Sequence, residues 1–141
     1  MRPILLVVGQ FVCIAALLFG GGWRLPFLAC GVFTIWLGVF VWATGSLGAS
    51  NFTIMPEPRL GNQLSSVGIY RRLRHPMYTA VLLCGAAFAL GSPTVVRALA
   101  LVSCFIILVM KVRYEEGRLR VAHPDYDQRM QGVPRLFPYI W

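Results

Sequence analysis

Acidic residues are scarce in this sequence, where only five of 141 residues are aspartate or glutamate. None of the five lies in the two long uncharged stretches, between Leu25 and Pro56 and between Met77 and Val96. A transporter driven by protons normally needs a carboxylate inside the membrane. The absence of one disfavours a small drug exporter, which is the obvious alternative for a short hydrophobic chain.

Charge of either sign is sparse as well. Charged residues make up 13% of the chain, against about 25% in an average soluble domain. Hydrophobic residues make up 57%, and the mean hydropathy is +0.68. This composition disfavours a soluble domain, a disordered segment and a nucleic-acid-binding module. The formal net charge of +8 fits the basic flanks of membrane spans.

Cysteine and histidine are too few and too scattered to suggest a metal site. All four cysteines lie in apolar runs, without the spacing of metal ligands or of a disulfide framework, so we interpret them as small packing residues. The two histidines, His75 and His123, have no cysteine near them in the sequence. No metal site is therefore predicted.

Four apolar stretches are candidates for membrane-spanning helices, roughly residues 4–22, 25–44, 77–92 and 94–112. The third would give only about 24 Å of helix, so we expect it to gain a turn before Met77 or to lie in thinned bilayer. The predicted fold is all-α: a polytopic membrane protein of one domain, residues 1–141, with about four transmembrane helices and a short helical cytosolic tail, residues 113–141. The first stretch lacks a convincing cleavage site, which favours a span over a signal peptide.

The loops differ in basic residues, and this difference predicts the orientation. The middle loop and the tail carry most of the arginines, whereas the first connection has only Arg24 and the third has none. Because basic residues stay on the cytosolic side, both termini and the middle loop are predicted to be cytosolic, in the inner or cell membrane if the source is bacterial. Arg97, just inside the fourth span, is expected to extend its charge to the outer interface.

Small residues recur at helical spacing in three of the spans. They are Gly9, Cys13, Ala16 and Gly20 in the first span, Gly31, Gly38 and Gly45 in the second, and Gly85 and Ala89 in the third. Such stripes either let helices pack closely or reflect the abundance of small residues in membrane helices.

Polar residues collect at two places beside the last two spans. One cluster, residues 68–78, leads into the third span, and the other, residues 111–116, leaves the fourth. These spans form a hairpin that turns near Pro93, so counting outward places His75 level with about Lys111. The topology brings cations, aromatic rings and two adjacent carboxylates to the cytosolic end. That set suits a zwitterionic, nucleotide-like ligand.

Taken one at a time, these residues have simpler interpretations. The arginines before the third span can be anchors that contact lipid phosphates, and Tyr78 can be an interfacial aromatic residue. Glu115 and Glu116 can pair with Arg113 or Arg118 at a solvated helix end.

Within the two clusters the sequence resembles a known superfamily. The pattern is Gly68-x-Tyr70-x3-Arg74-His75-Pro76-x-Tyr78, then a short hairpin, then Glu115-Glu116-x2-Leu119, with Tyr126 and residues 133–138 in the tail. Over roughly residues 51–138 it is similar to the isoprenylcysteine carboxyl methyltransferase and phospholipid methyltransferase superfamily. Ala80 and Arg129 depart from the pattern, which often has glycine and tyrosine there.

The resemblance implies an integral membrane enzyme that uses S-adenosylmethionine, with a cofactor pocket at the cytosolic end and a tunnel open to the bilayer. The residues that it implies for cofactor binding are Tyr70, Arg74, His75, Tyr78, Glu115, Glu116 and Arg135. Three of them, Arg74, His75 and Glu116, are the implied catalytic residues. Arg74 is expected to bind the cofactor's carboxylate, and one of the glutamates is expected to bind the ribose hydroxyls.

The acceptor depends on whether the reaction needs a base. A carboxylate attacks directly, whereas a lipid ammonium must first lose a proton, and no residue here is plainly dedicated to taking it. The predicted acceptor is therefore a lipophilic carboxylate of isoprenylcysteine type, with a phospholipid amine as the alternative. A non-catalytic module that binds anionic lipid or a partner protein is the rival of another class. It does not explain two glutamates opposite Arg74 and His75.

Overall fold

The computed structural model describes residues 3–24, 26–47 and 67–138. The helices in those ranges are α1 Pro3–Phe19, α2 Phe27–Leu47, α3 Pro76–Gly91, α4 Val95–Ala122 and the short α5 Tyr126–Arg129, with a 3-10 turn at Gly68–Arg71. The all-α prediction is confirmed for this part of the chain. Much of the predicted middle loop, residues 48–66, lies outside the described residues, as do both chain ends.

Two of the helices are long and apolar enough to cross a membrane: α2 with 21 residues and α4 with 28. The apolar helices α1 and α3 are shorter, with 17 and 16 residues. At about 1.5 Å per residue they give roughly 24–26 Å of helix, less than the hydrocarbon core of about 30 Å. Four spans therefore remain a prediction.

Pro76 fixes the start of α3. A proline disfavours helical backbone in the preceding residue and suits the first position of a helix. His75 accordingly has φ −127° and ψ 59°, and the helix begins at Pro76. The extra helical turn expected before Met77 does not form, because residues 72–75 are not helical.

Helix α4 is longer than the predicted fourth span. It continues past Val112 to Ala122 and ends just before the His123–Pro124 pair. The first part of the predicted helical tail is therefore a continuation of α4, and the span boundary at residue 113 stays a prediction. Residues 113–122 contain no proline and several good helix formers, which explains the extension.

Helix α1 packs antiparallel to α4 along its stripe of small residues. Gly9 lies against Ile107, and Gly20 lies against Val96. In the second stripe, a Cβ atom at Gly31, Gly38 or Gly45 would have no neighbour within 4 Å, so within the described ranges this stripe is not a packing seam. The main core combines α1, α3, α4 and the tail through Cys13, Leu82, Cys104, Leu108, Val112 and Leu136.

Arg97 joins three helix ends at the opposite end of the bundle from the polar clusters. Its side chain is 1% exposed, so the expectation that it extends to the interface is wrong. The guanidinium donates hydrogen bonds of 2.8–3.3 Å to six backbone carbonyls, those of Leu17, Leu18, Gly21, Gly22, Phe88 and Ser92. The last carbonyls of a helix lack partners within it and form the negative end of its dipole. One buried cation therefore satisfies the ends of both α1 and α3.

We expect Arg97→Met to lower the free energy of unfolding by roughly 3 kcal/mol or more, because several buried carbonyls lose a charged donor. Thermal unfolding of the purified protein in detergent measures the loss. Arg24→Met is the control, since it removes a cation from an exposed residue of the same region. Equal melting temperatures for the two variants would contradict this role for Arg97.

Candidate functional site

The turn before α3 holds the first site residues against α2. Gly68 has φ +56°, a conformation that favours glycine, and a Cβ atom there would overlap Ser46. The Ser46 hydroxyl accepts a hydrogen bond from the Ile69 N–H at 3.3 Å. This contact holds the turn against α2, and the chain then leads through Arg74 and His75 to the start of α3 at Pro76.

Glu116 of α4 is 2% exposed and is surrounded by cations from three segments. Arg135 Nε lies 3.1 and 3.0 Å from its two carboxylate oxygens. Arg74 Nη1 lies 3.4 Å from Oε1, and Arg120 Nη2 lies 3.5 Å from Oε2. His75 Nε2 is 3.6 Å from Oε1. One carboxylate thus joins the segment before α3, helix α4 and the tail.

Glu115 points in a different direction from Glu116 and is partly exposed. The Tyr78 hydroxyl donates a hydrogen bond to Glu115 Oε2 at 2.8 Å, and His75 Nδ1 lies 3.7 Å from the same oxygen. The rings of His75 and Tyr78 are stacked, with centroids 5.5 Å apart and planes within 5°. In the described ranges neither glutamate forms an ion pair with Arg113 or Arg118. The alternative of a solvated helix end held by those pairs is therefore wrong.

The tail crosses over this cluster and is held by Arg74. The Arg74 backbone N–H donates a hydrogen bond to the Pro134 carbonyl at 2.9 Å. Its side chain donates through Nε to Val133 O and through Nη2 to Met130 O, both at 2.7 Å. Arg74 therefore connects the tail to Glu116 as well as lying in the site.

Backbone and side-chain contacts continue the attachment of the tail to α3. The His75 N–H donates to the Arg135 carbonyl at 3.0 Å, and the Thr79 hydroxyl donates to the Leu136 carbonyl. The Leu136 side chain is fully buried against the main core. The tail is thus part of the folded unit, and it places Arg135 on Glu116.

Tyr126, predicted only as part of the family pattern, is 1% exposed beneath two arginines. The guanidinium carbons of Arg74 and Arg120 lie 5.9 and 5.7 Å from its ring centroid. Burial, together with the charge of Glu116, raises the pKa of Tyr126 to about 12. Arg120 was not predicted, although its position four residues after Glu116 on one helix is a recognisable ion-pair spacing.

The electrostatics around the two glutamates differ. Burial on its own raises the pKa of Glu116, but the hydrogen bond from Arg135 and the charges of His75 and Arg135 outweigh it and keep the pKa below its ordinary value. The pKa of Tyr70 is raised by burial and by the nearby charge of Glu115. The Glu116 carboxylate is therefore ionised and the Tyr70 phenol is neutral at physiological pH.

Lys111 and Gln10 form a buried polar pair that sequence reasoning did not connect. Lys111 Nζ donates to Gln10 Oε1 at 2.7 Å, and the two residues are 2% and 8% exposed. The signal was present in the sequence, because a polar residue inside a span normally faces a polar partner.

The hairpin prediction is right in topology and wrong in register. The structure brings the two clusters together, but His75 lies against Glu115 and Glu116 rather than level with Lys111. The count from Pro93 compared backbone positions, whereas His75 and the two glutamates meet through their side-chain atoms.

We expect Glu116→Gln to destabilise the protein by roughly 3–5 kcal/mol, because it leaves buried cations without their counter-charge. Glu115→Gln, at a site that is 25% exposed, should cost less than about 1 kcal/mol. Thermal unfolding in detergent at neutral pH measures both.

Because the pKa of Glu116 is lowered on folding, its contribution to stability is complete above the unfolded pKa of about 4.3 and is lost as pH falls through the lower folded pKa. The gap between wild type and Glu116→Gln should therefore narrow in acid, and equal losses from the two variants at neutral pH would contradict the assignment.

The family model for phospholipid methyltransferases matches residues 25–123. This range contains α2, α3, α4 and both polar clusters, so the superfamily resemblance found in the sequence is confirmed. Helix α1 and the tail after residue 123 lie outside the matched range. No curated protein matches this chain.

Proposed function

Because the chain belongs to the phospholipid methyltransferase family, we propose that it transfers a methyl group from S-adenosylmethionine to a lipophilic acceptor. Family membership and the two long apolar helices identify a membrane methyltransferase. The proposal of the cofactor and the acceptor rests on the contact between the two polar clusters. At one end of the bundle Arg74 lies 3.4 Å from Glu116, and His75 lies 3.7 Å from Glu115 and 3.6 Å from Glu116.

Two features of this cluster fit a cofactor that carries hydroxyls and charges. His75 Nε2 is buried and makes no hydrogen bond, an arrangement that suits a further polar partner. Glu115 is one-quarter exposed and accepts from Tyr78, but an ionised carboxylate has several acceptor positions and can take more hydrogen bonds. The residues present therefore fit S-adenosylmethionine.

Each site residue then has a proposed task. Glu115 would accept from the ribose hydroxyls, and His75 Nε2 would bind at the same end of the site. Tyr70 and Tyr78 offer aromatic faces to the adenine or the sulfonium. Arg74 and Arg135 are proposed for the donor's carboxylate, and the buried charge of Glu116 keeps both guanidinium groups in place. The residues proposed for the cofactor site are therefore Tyr70, Arg74, His75, Tyr78, Glu115, Glu116 and Arg135.

When bound, the cofactor supplies a methyl group on a sulfonium that is already activated for in-line displacement. The tasks left to the chain are to bind, to orient and to exclude water, and well-oriented reactants gain roughly 7–11 kcal/mol. The tail serves the last task, because its buried residues Tyr126 and Leu136 close the cluster on one side.

An apolar groove beside the cluster supports a lipophilic acceptor. It has a volume of about 300 Å³ between α3 and α4. Its lining residues are Leu82, Leu83, Ala86, Leu101, Val102, Phe105 and Phe137. Phe137 follows Arg135 and Leu136 in the tail, and Leu82 is one helical turn after Tyr78, so the groove begins next to the charged residues. A hydrocarbon chain in the groove would place its polar end at the cluster.

The charge around the site favours an anionic acceptor. Arg74, Arg120, Arg135 and Lys111 outnumber the two glutamates, and Glu116 is already surrounded by cations. We therefore propose a lipophilic carboxylate of isoprenylcysteine type first. A phospholipid amine is the second candidate, favoured by the description of the matched family.

We also propose that α1 and α3 cross the bilayer with α2 and α4, with both termini cytosolic. Arg97 and Glu116 are nineteen residues apart on α4, about 28 Å along a helix, which is close to the thickness of the hydrocarbon core. Charged groups thus mark the two ends of the bundle at a bilayer-like separation.

The orientation is tested by labelling single cysteines in a background without the native ones. Val95 at one end of α4 and Val121 at the other are 76% and 81% exposed. In intact cells, a membrane-impermeant maleimide should label Val95→Cys, and it should reach Val121→Cys only after permeabilisation. The reverse pattern would overturn the orientation, and labelling of both from outside would overturn the spanning arrangement.

Methyl transfer is tested with purified protein, S-adenosylmethionine labelled in its methyl group, and a membrane lipid extract. The wild type should bind S-adenosylhomocysteine and label a lipid. Arg74→Ala should raise the dissociation constant of S-adenosylhomocysteine at least tenfold, about 1.4 kcal/mol. Arg72→Ala, at an exposed position, is the matched control and should leave binding unchanged.

The product separates the acceptor classes. A methyl ester releases its label as methanol in mild alkali, whereas an N-methyl group keeps it. Wild-type protein that binds no S-adenosylhomocysteine would instead favour the non-catalytic membrane module.

A further inference from the structure

Lys111 lies beside the site, but the roles proposed above do not include its contacts. Its buried Nζ donates to Gln10 Oε1 at 2.7 Å. Across the described ranges Lys111 forms no ion pair with a carboxylate. A buried ammonium must then be stabilised by hydrogen bonds and by other favourable contacts.

The second contact of Lys111 leads directly to the site. Nζ lies 5.0 Å from the centroid of the Tyr78 ring, within the range of a cation–π interaction. The same ring stacks on His75, and its hydroxyl donates to Glu115. Tyr78 therefore has three restraints, and the one from Lys111 depends in turn on Gln10 of α1.

We propose that Lys111, held by Gln10, is a positioning residue for methyl transfer: it fixes the Tyr78 ring and thereby the orientations of Glu115 and His75. The proposal rests on the proposed function, and it assigns a part in the site to α1, which lies outside the family-matched range. The competing interpretation is that the pair only holds α1 against α4.

The first measurement is cofactor affinity and turnover in variants of the full-length protein. Lys111→Met should raise the dissociation constant of S-adenosylhomocysteine roughly tenfold and lower kcat, while KM for the acceptor stays within about threefold. Lys111→Arg keeps a cation and should restore affinity to within about threefold. Gln10→Leu should produce a smaller loss in the same direction, and Gln10→Glu should retain affinity because it keeps an acceptor.

A matched control separates positioning from packing. Leu108 lies one turn before Lys111 on α4, is fully buried, and belongs to the main core. Leu108→Ala should lower the melting temperature and leave cofactor affinity unchanged. If Leu108→Ala weakens affinity as much as Lys111→Met does, the effect of Lys111 is loss of packing and the proposal is wrong.

A double-mutant cycle tests the route through the ring. The effect of Lys111→Met should persist in a Tyr78→Phe background, which keeps an aromatic face, and should largely disappear in a Tyr78→Leu background. Additive losses in the Tyr78→Leu background would contradict a route through Tyr78.

The final measurement does not need activity. In protein labelled with 3-fluorotyrosine, the Tyr78 resonance is assigned from its absence in Tyr78→Phe and followed by fluorine NMR. Lys111→Met and Gln10→Leu should both shift it, and Leu108→Ala should not. An unmoved resonance would show that the contact is absent and would overturn the proposal while leaving the proposed function intact. If Lys111→Met shifts the resonance but the wild-type protein binds no S-adenosylhomocysteine, the contact exists but the proposed function is wrong, and the positioning role is wrong with it.

Discussion

A buried negative charge on α4 determines how this protein assembles its site. A carboxylate as deeply buried as that of Glu116 is unfavourable unless cations and hydrogen bonds compensate it. The compensation comes from Arg74 before α3, Arg120 one turn along α4 and Arg135 in the tail. Because Arg74 and Arg135 are far from Glu116 in the chain, satisfying one carboxylate fixes the relative positions of three segments.

The other end of the bundle solves the opposite problem with different groups. Arg97 is a buried cation, and its partners are backbone carbonyls at the ends of α1 and α3. The last carbonyls of a helix form the negative end of its dipole, so the cation and the helix ends stabilise each other. Helix α4 carries both of these charges as well as the buried Lys111, and the contacts of Arg97 and Glu116 hold α1, α3 and the tail against it.

The segments that complete the site lie outside the family-matched range. The tail supplies Arg135 and closes the cluster through Leu136, while α1 supplies Gln10 to Lys111. The matched part of the chain therefore contains the two polar clusters, and the flanking segments set how those clusters are oriented.

Sequence alone determined the fold class, the hairpin of the last two helices and the meeting of the two clusters, because all three follow from hydrophobic periodicity and connectivity. The start of α3 at Pro76 has a local cause, because proline restricts the residue before it, although the prediction had expected a further turn before Met77. The identity of the superfamily came from the motif residues in the same way.

Only the tertiary structure decided the rest, because it depends on side chains that meet across the chain. His75 meets Glu115 and Glu116 instead of lying level with Lys111, and side-chain contacts across the hairpin set this pairing. Arg97 became buried because two helix ends offered it carbonyls, a possibility that its own neighbourhood in the sequence does not reveal. The pairing of Lys111 with Gln10, about a hundred positions apart, likewise became visible only when α1 was placed against α4.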